Sequence, residues 1–291
     1  MAALLLIHPA EGWMEPGEFL VRPRDVARVC AVCIGLLLAL HLASQIARFG
    51  FGRDYQLGLA IKVYLGSESS IPNWFSTILL LACAAVLFAI GSGAPRADAM
   101  RWRVLGAVFV ALSLDEAAAL HDLASPVFAG VFTRLAAVVG GPFVALARKP
   151  NYAWEIPGAI VAAVVGLAYV PFLTRLPRST RNGFVLAGIV YVGAAVGIDF
   201  IEGWYSGLHG PRNPLFVALL TCEETLEMVG ASIFLYTLLR YAEAEIGEMR
   251  IRLSAADARP VAQRAGTTPA AGTAAITSIS SISSGRARRT T

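Results

Sequence analysis

Six long apolar runs limit what this chain can become. They cover residues 26–46, 74–92, 102–121, 154–175, 183–203 and 215–240, and a helix needs about 20 residues to cross a hydrocarbon core. The 291-residue chain is 56% hydrophobic and 15% charged, where a soluble domain carries about 25% charge. The fold expected is all-α: a polytopic membrane helix bundle with six transmembrane helices.

Basic residues set the orientation. Arg22, Arg24 and Arg28 precede the first run, and Arg96, Arg101 and Arg103 separate the second from the third. Arg175, Arg178 and Arg181 separate the fourth from the fifth, and Arg240, Arg250 and Arg252 follow the sixth. Six crossings put all four clusters on one side, which the positive-inside rule makes cytoplasmic, with both termini there. Arg48, Arg53 and Lys62 in the first outer loop weaken this contrast without reversing it. The opening MAALLLIHPAEG lacks the basic start of a signal peptide, so the first run is expected to be retained. The expected organisation is a cytoplasmic segment at 1–25, a six-helix domain at 26–245 and a disordered cytoplasmic tail at 254–291. Within the outer loop at 122–153, the apolar stretch 127–147 holds Arg134 and a Gly-Gly-Pro break. It is expected to lie at the interface or re-enter, since a seventh crossing would send two arginine clusters outward. The net charge of +4 reflects these clusters, and no nucleic-acid partner is expected. Membrane lipid is the expected surrounding.

Acidic residues interrupt three of the runs. The third ends in ALSLDEAAALHD, with Asp115, Glu116, His121 and Asp122; the fifth ends with Asp199 and Glu202; the sixth carries Glu223, Glu224 and Glu227 in its first half. With alternating directions, all fall in the outer half of the membrane. Asp115 and Asp122 are seven apart, Asp199 and Glu202 three, Glu223 and Glu227 four, so each helix can aim two carboxylates at one centre. On this reading Glu116 and His121 flank that face. A charged side chain at mid-bilayer costs from about 2.5 to more than 10 kcal/mol, so the group needs shared protons or a bound cation. Oxygen ligands with an imidazole suit a divalent metal ion, zinc first, then manganese or iron. Asp115, His121, Asp122, Asp199, Glu202, Glu223 and Glu227 are the candidate ligands, with Glu68, His41 and His209 at the rim. The plainer alternative is that such acids are hydrogen-bonded glue between helices.

Other features read as structure. Ser70 and Pro72 suit a helix start, Trp154 an interface anchor and Glu155 a charge at a helix N-terminus. Gly193 and Gly197 suit a close-packing face that brings the fifth helix against the third or sixth. Cys30, Cys33, Cys83 and Cys222 sit in apolar runs, and the single C-x-x-C lacks the second pair a zinc site of that type requires.

The E-x4-N-W-F-S, S-L-D-E-x4-H-D and E-E-x-x-E-M motifs resemble those of a group of bacterial multi-span membrane proteins. Ser113, Asp115 and His121, with Asn73 and Ser76, are also similar to motifs of the alkaline ceramidase-like superfamily of membrane hydrolases. That resemblance implies a Ser, an Asp and three His around zinc. The H-x-x-x-H of its closing helix is replaced here by Glu223 and Glu227.

Three functions follow. The first is a metal-dependent membrane hydrolase of a lipid or amphiphile, with Glu116 or Glu224 as catalytic base and His121 as ligand or proton shuttle. The second is a cation- or proton-coupled transporter. Against it, no run has a Gly/Pro break near its centre, and an inverted repeat would map one acid group to the wrong side. The third is a non-enzymatic metal-binding or scaffold protein.

Overall fold

A computed structural model describes residues 18–54, 56–140, 154–245, 247 and 250–252. Strand β1 (Glu18–Leu20) leads into helix α1 (Pro23–Phe51), which begins with a proline in its first turn and ends at Gly52 in the left-handed region, φ 64°. A 3₁₀ turn (Gln56–Gly58) and the short α2 (Leu59–Val63) follow. Helix α3 (Ile71–Gly93) starts as its sequence indicates: Ser70 Oγ accepts the Asn73 N–H at 3.2 Å, and Pro72 lies in the first turn. A two-residue link turns the chain back into α4 (Arg96–Ala118), and α3 and α4 pack along their length.

The remaining elements are α5 (Leu120–Val139), α6 (Glu155–Leu173), α7 (Arg178–Val192), a π-helical segment (Gly193–Ile198), α8 (Asp199–His209) and α9 (Pro214–Glu245). Strand β2 (Arg250–Arg252) pairs antiparallel with β1, Phe19 opposite Ile251. The segments before α1 and after α9 are thereby held at one end of the bundle.

Helix α9 is the axis. It packs against α1, α3, α7, α8 and the π segment. Near the strand end, Trp102 is 1% exposed, with Phe172, Phe184 and Tyr241 ring centroids 4.9, 6.2 and 5.0 Å away. Leu79, Leu80, Leu87, Phe234, Leu235 and Leu238 continue that core along the bundle. Large apolar side chains also point outward, among them Leu36 and Ile46 of α1 and Val164 and Leu167 of α6. A lipid environment, unlike water, makes that arrangement favourable.

Four helical stretches are long and apolar enough to cross a membrane: Pro23–Phe51, Ile71–Gly93, Glu155–Leu173 and Arg178–His209. Helices α4 and α9 carry more charged residues than these and do not meet that apolar standard.

A close crossing joins α7 and α9. A Cβ added to Gly230 would lie 2.7 Å from Tyr191 N and 2.9 Å from Tyr191 Cα, both backbone atoms. One added to Gly183 would meet Thr237 Cγ2 at 2.7 Å. Gly193 and Gly197, expected to form this packing face, have nothing within 4 Å of where a Cβ would stand. They fall in the π segment, whose wider turn shifts the register away from the 3.6-residue period assumed for them.

Gly230→Ala should therefore lower the melting temperature of the detergent-purified protein by several degrees. Overpacking a tight contact costs roughly 1–3 kcal/mol, and the neighbours here are backbone. Gly35→Ala, with nothing within 4 Å, should leave the melt unchanged.

Candidate functional site: a divided carboxyl cluster

The third run is not one continuous helix. Ala119 takes the left-handed conformation, φ 47°, between α4 and α5. Asp115 spans this break: its Oδ1 accepts the His121 backbone N–H at 2.8 Å, and its Oδ2 lies 3.1 Å from His121 Nδ1. An ionised carboxylate only accepts, so Nδ1 carries the proton of that bond. The His121 ring also lies against Trp154, centroids 5.6 Å apart. Both side chains are partly open, Asp115 at 25% and His121 at 34%. Because the helix breaks between them, Asp115 and Asp122 do not share one helical face. The Asp122 side chain lies outside the described ones.

Glu116 turns to α3 instead of flanking a common centre. Asn73 Nδ2 donates to the Glu116 carbonyl oxygen at 2.8 Å and more weakly to its Oε1 at 3.4 Å. The Ser113 hydroxyl donates to the Thr77 carbonyl at 2.9 Å, so it stitches α4 to α3.

A second group of acids surrounds α9. The carboxyl groups of Glu202 on α8 and Glu223 on α9 lie within hydrogen-bonding reach of each other, and Glu202 Oε2 is buried without a hydrogen-bond partner. Asp199, one turn before Glu202, is within electrostatic reach of Glu202, Glu223, Glu224 and Glu227. Glu224 and Glu227 also feel Glu116. The three acid-bearing helices thus bring their carboxyls to one level, in the half of the bundle away from the strands.

A narrow cleft separates the two groups. Ser76, Glu116, Tyr191 and Glu227 line it with apolar Leu79, Leu80, Met228 and Ala231. Glu68 is exposed, within electrostatic reach of Glu116.

The histidines of the expected rim lie elsewhere. His41 is buried; the Leu65 N–H donates to its Nδ1 at 3.2 Å, leaving Nε2–H to donate to Thr221 Oγ1 at 3.0 Å. Both ring nitrogens are committed to holding the 64–66 loop against α1 and α9. His209 is exposed and stacks on Tyr205 at 4.4 Å.

Glu155 is the residue sequence reasoning passed over. It is 3% exposed, its Oε2 has no hydrogen-bond partner, and it faces the charge of Asp199. A glutamate opening a helix looks like an ordinary dipole charge, and nothing in sequence marks it as buried. Among the described residues no three His, Cys, Asp or Glu side chains converge as ligands.

Residues 29–242 match the family described as "Domain of unknown function (DUF8692)". The chain belongs to that family. No curated protein and no solved structure matches it.

His41→Ala should destabilise the purified protein by roughly 1–3 kcal/mol, the cost of leaving a buried donor unsatisfied. His209→Ala should leave the melting temperature unchanged. Equal effects from the two would refute the structural role given to His41.

Proposed function

We propose that this is a six-span protein of the cytoplasmic membrane, both termini in the cytoplasm, acting as a proton-coupled transporter. The observation that carries the reading is the placement of the Glu202 and Glu223 carboxyls within hydrogen-bonding reach of each other. Two ionised carboxylates have only acceptors, so a hydrogen bond there requires a proton between them. Such a bond would join two helices, α8 and α9, and a relative movement of the two would break it and release that proton.

Helix discontinuities support the same reading. Transporters place their coupling sites where helices are interrupted, and π-segments recur at functional sites. The break at Ala119 adjoins Asp115 and His121, and the π segment ends at Asp199. Of the two sequence arguments against a transporter, the inverted-repeat mismatch stands, and the other is the absence of Gly/Pro breaks. Here Asp115 caps a break without either residue, and the π segment keeps helical hydrogen bonding through its irregularity.

Topology draws on two features. The β1–β2 pairing puts the chain before α1 and after α9 on one side, which supports an even number of crossings. Helix α9 is enclosed by five other elements, so it needs no apolar coat to cross. Counting α4 and α9 gives six, with the arginine clusters on the strand side. Helix α5 then lies at the outer interface. A fluorescent protein fused to the C-terminus should fluoresce, whereas alkaline phosphatase fused there should stay inactive; the reverse pattern would invert the topology.

The transport reading is tested with proteoliposomes on a solid-supported membrane. A pH jump should give a transient charge displacement that Glu202→Gln and Glu223→Gln abolish. An infrared band from a protonated carboxyl should disappear in the same variants. Wild-type signals equal to those of empty liposomes would sink the reading.

The second reading is a divalent-metal hydrolase of a lipid or amphiphile, zinc being the first metal to try. The Asp115–His121 pair favours it, since a carboxylate that fixes an imidazole is common beside metals. Stoichiometric metal in purified protein, lost in Glu227→Ala and His121→Ala, would put it first.

A further inference from the structure

We infer that the Tyr64–Gly66 loop is a gate to the carboxyl cluster, with Leu65 as its plug and His41 as its latch. The inference rests on the transport reading above, for which it names an entrance. It stands on hydrogen bonds and packing at the end of the bundle away from the strands.

The loop dips into the bundle rather than lying across its end. Its backbone is tied to Thr221, which lies about two turns, roughly 10 Å, into α9. At membrane depth a non-helical backbone is tolerated only where protein partners satisfy it. The Leu65 N–H meets that demand through a side chain of another helix, donating to His41 Nδ1 at 3.2 Å. His41 Nε2–H donates in turn to Thr221 Oγ1 at 3.0 Å, and the Thr221 hydroxyl donates to the Val217 carbonyl. One chain of donors thus runs from the loop through α1 to α9.

The plug covers an acidic face. Leu65 is 1% exposed and shares a buried cluster with Ile34, Leu37, Leu220 and Met228. The next residue touches α9 directly: a Cβ at Gly66 would lie 3.0 Å from Leu220 Cγ. Glu224, Glu227 and Met228 follow Leu220 at helical spacing, so all four share one face of α9. Met228 belongs both to the Leu65 cluster and to the lining of the cleft that holds Glu116 and Glu227. Withdrawal of Leu65 would uncover Met228 and open a path to those carboxyls.

The loop is bounded by breaks that let it swing without unwinding a long helix. Upstream, Leu57 and Gly58 have left-handed backbone, φ 56° and 77°, a strained state for leucine. Downstream, α3 starts afresh at the Ser70 cap. The segment's other tie, Lys62 Nζ to the Ser69 carbonyl at 3.0 Å, is exposed and stays within the segment. The His41 bond is the tie that reaches across to another helix.

The experiment uses the full chain in lipid nanodiscs, in a Cys30→Ala, Cys33→Ala, Cys83→Ala, Cys222→Ala background. Met228→Cys reports the entrance. Leu238→Cys, in the buried core toward the strands, reports general loosening. Each is modified with a charged, membrane-impermeant methanethiosulfonate. Adding His41→Ala or Leu65→Ala should speed modification of Met228→Cys at least about tenfold, because a protected site reacts in proportion to its open population. Leu238→Cys should stay unreactive, and His209→Ala should change neither rate. Unchanged rates at Met228→Cys, or an equal rise at Leu238→Cys, overturn the gate. If His41→Ala does not fold, Leu65→Ala, which keeps the backbone bond to His41, decides alone.

A second arm locks the loop. The Gly66–Leu220 approach is close enough for a disulfide between Gly66→Cys and Leu220→Cys. The oxidised protein, its disulfide confirmed by mass, should lose pH-jump charge displacement and regain it on reduction. Full displacement by the oxidised protein overturns the gate and leaves the transport reading standing. No displacement by wild-type protein removes the transport reading, and the modification rates then decide the gate by themselves.

Discussion

A carboxyl group on a membrane-crossing helix must find its hydrogen bonds inside the protein, because hydrocarbon offers none. Helix α9 carries Glu223, Glu224 and Glu227 within two turns, and the bundle is arranged to answer that demand. Five elements surround it, which encloses its acids on most sides. One of those neighbours, α8, brings a carboxyl to pair with Glu223. The cost of burying charge is thus met by pairing carboxyls with each other. Among the residues whose charges reach Glu223, Glu224 and Glu227, all are acidic.

That arrangement depends on a close approach between helices. Gly230 lets the α7 backbone come within contact of α9, and Gly183 does the same one level nearer the strands. Beyond Tyr191 the chain leaves regular α-helical register just before Asp199 and Glu202. The π segment supplies the extra rotation, and α8 starts in the new register. Packing and chemistry are therefore joined at one crossing.

The apolar runs located the helices to within a few residues: 26–46 against Pro23–Phe51, 74–92 against Ile71–Gly93, 154–175 against Glu155–Leu173. The Ser70 cap was readable because Ser, then Pro, then a hydrophobic run has one common meaning. The Ala119 break was not, since alanine is the strongest helix former and nothing local marks it. It exists because a side chain three residues before α4 ends satisfies the backbone of the next helix. Gly193 and Gly197 misled for the opposite reason: their spacing fits a packing face only if the helix keeps its regular period. The convergence of acids on one level followed from alternating helix directions. Their division into two groups did not, because it depends on which rotamer each long side chain takes. His41 shows the same limit, being indistinguishable in sequence from a ligand until Leu65 and Thr221 claim its nitrogens.

The three-residue pairing of β1 with β2 looks minor beside the helices, yet it changes how the chain is connected. Phe19 and Ile251 are 232 positions apart in sequence and adjacent across the ladder, so the described chain is closed into a loop by hydrogen bonds. Helix α9 is tethered at that end to the start of α1. A shift of α9 along its axis would pull on both strands, whereas a tilt about the tether would leave them paired. The helix that holds the three glutamates is thereby guided toward pivoting, with its largest displacement at the end where those glutamates lie.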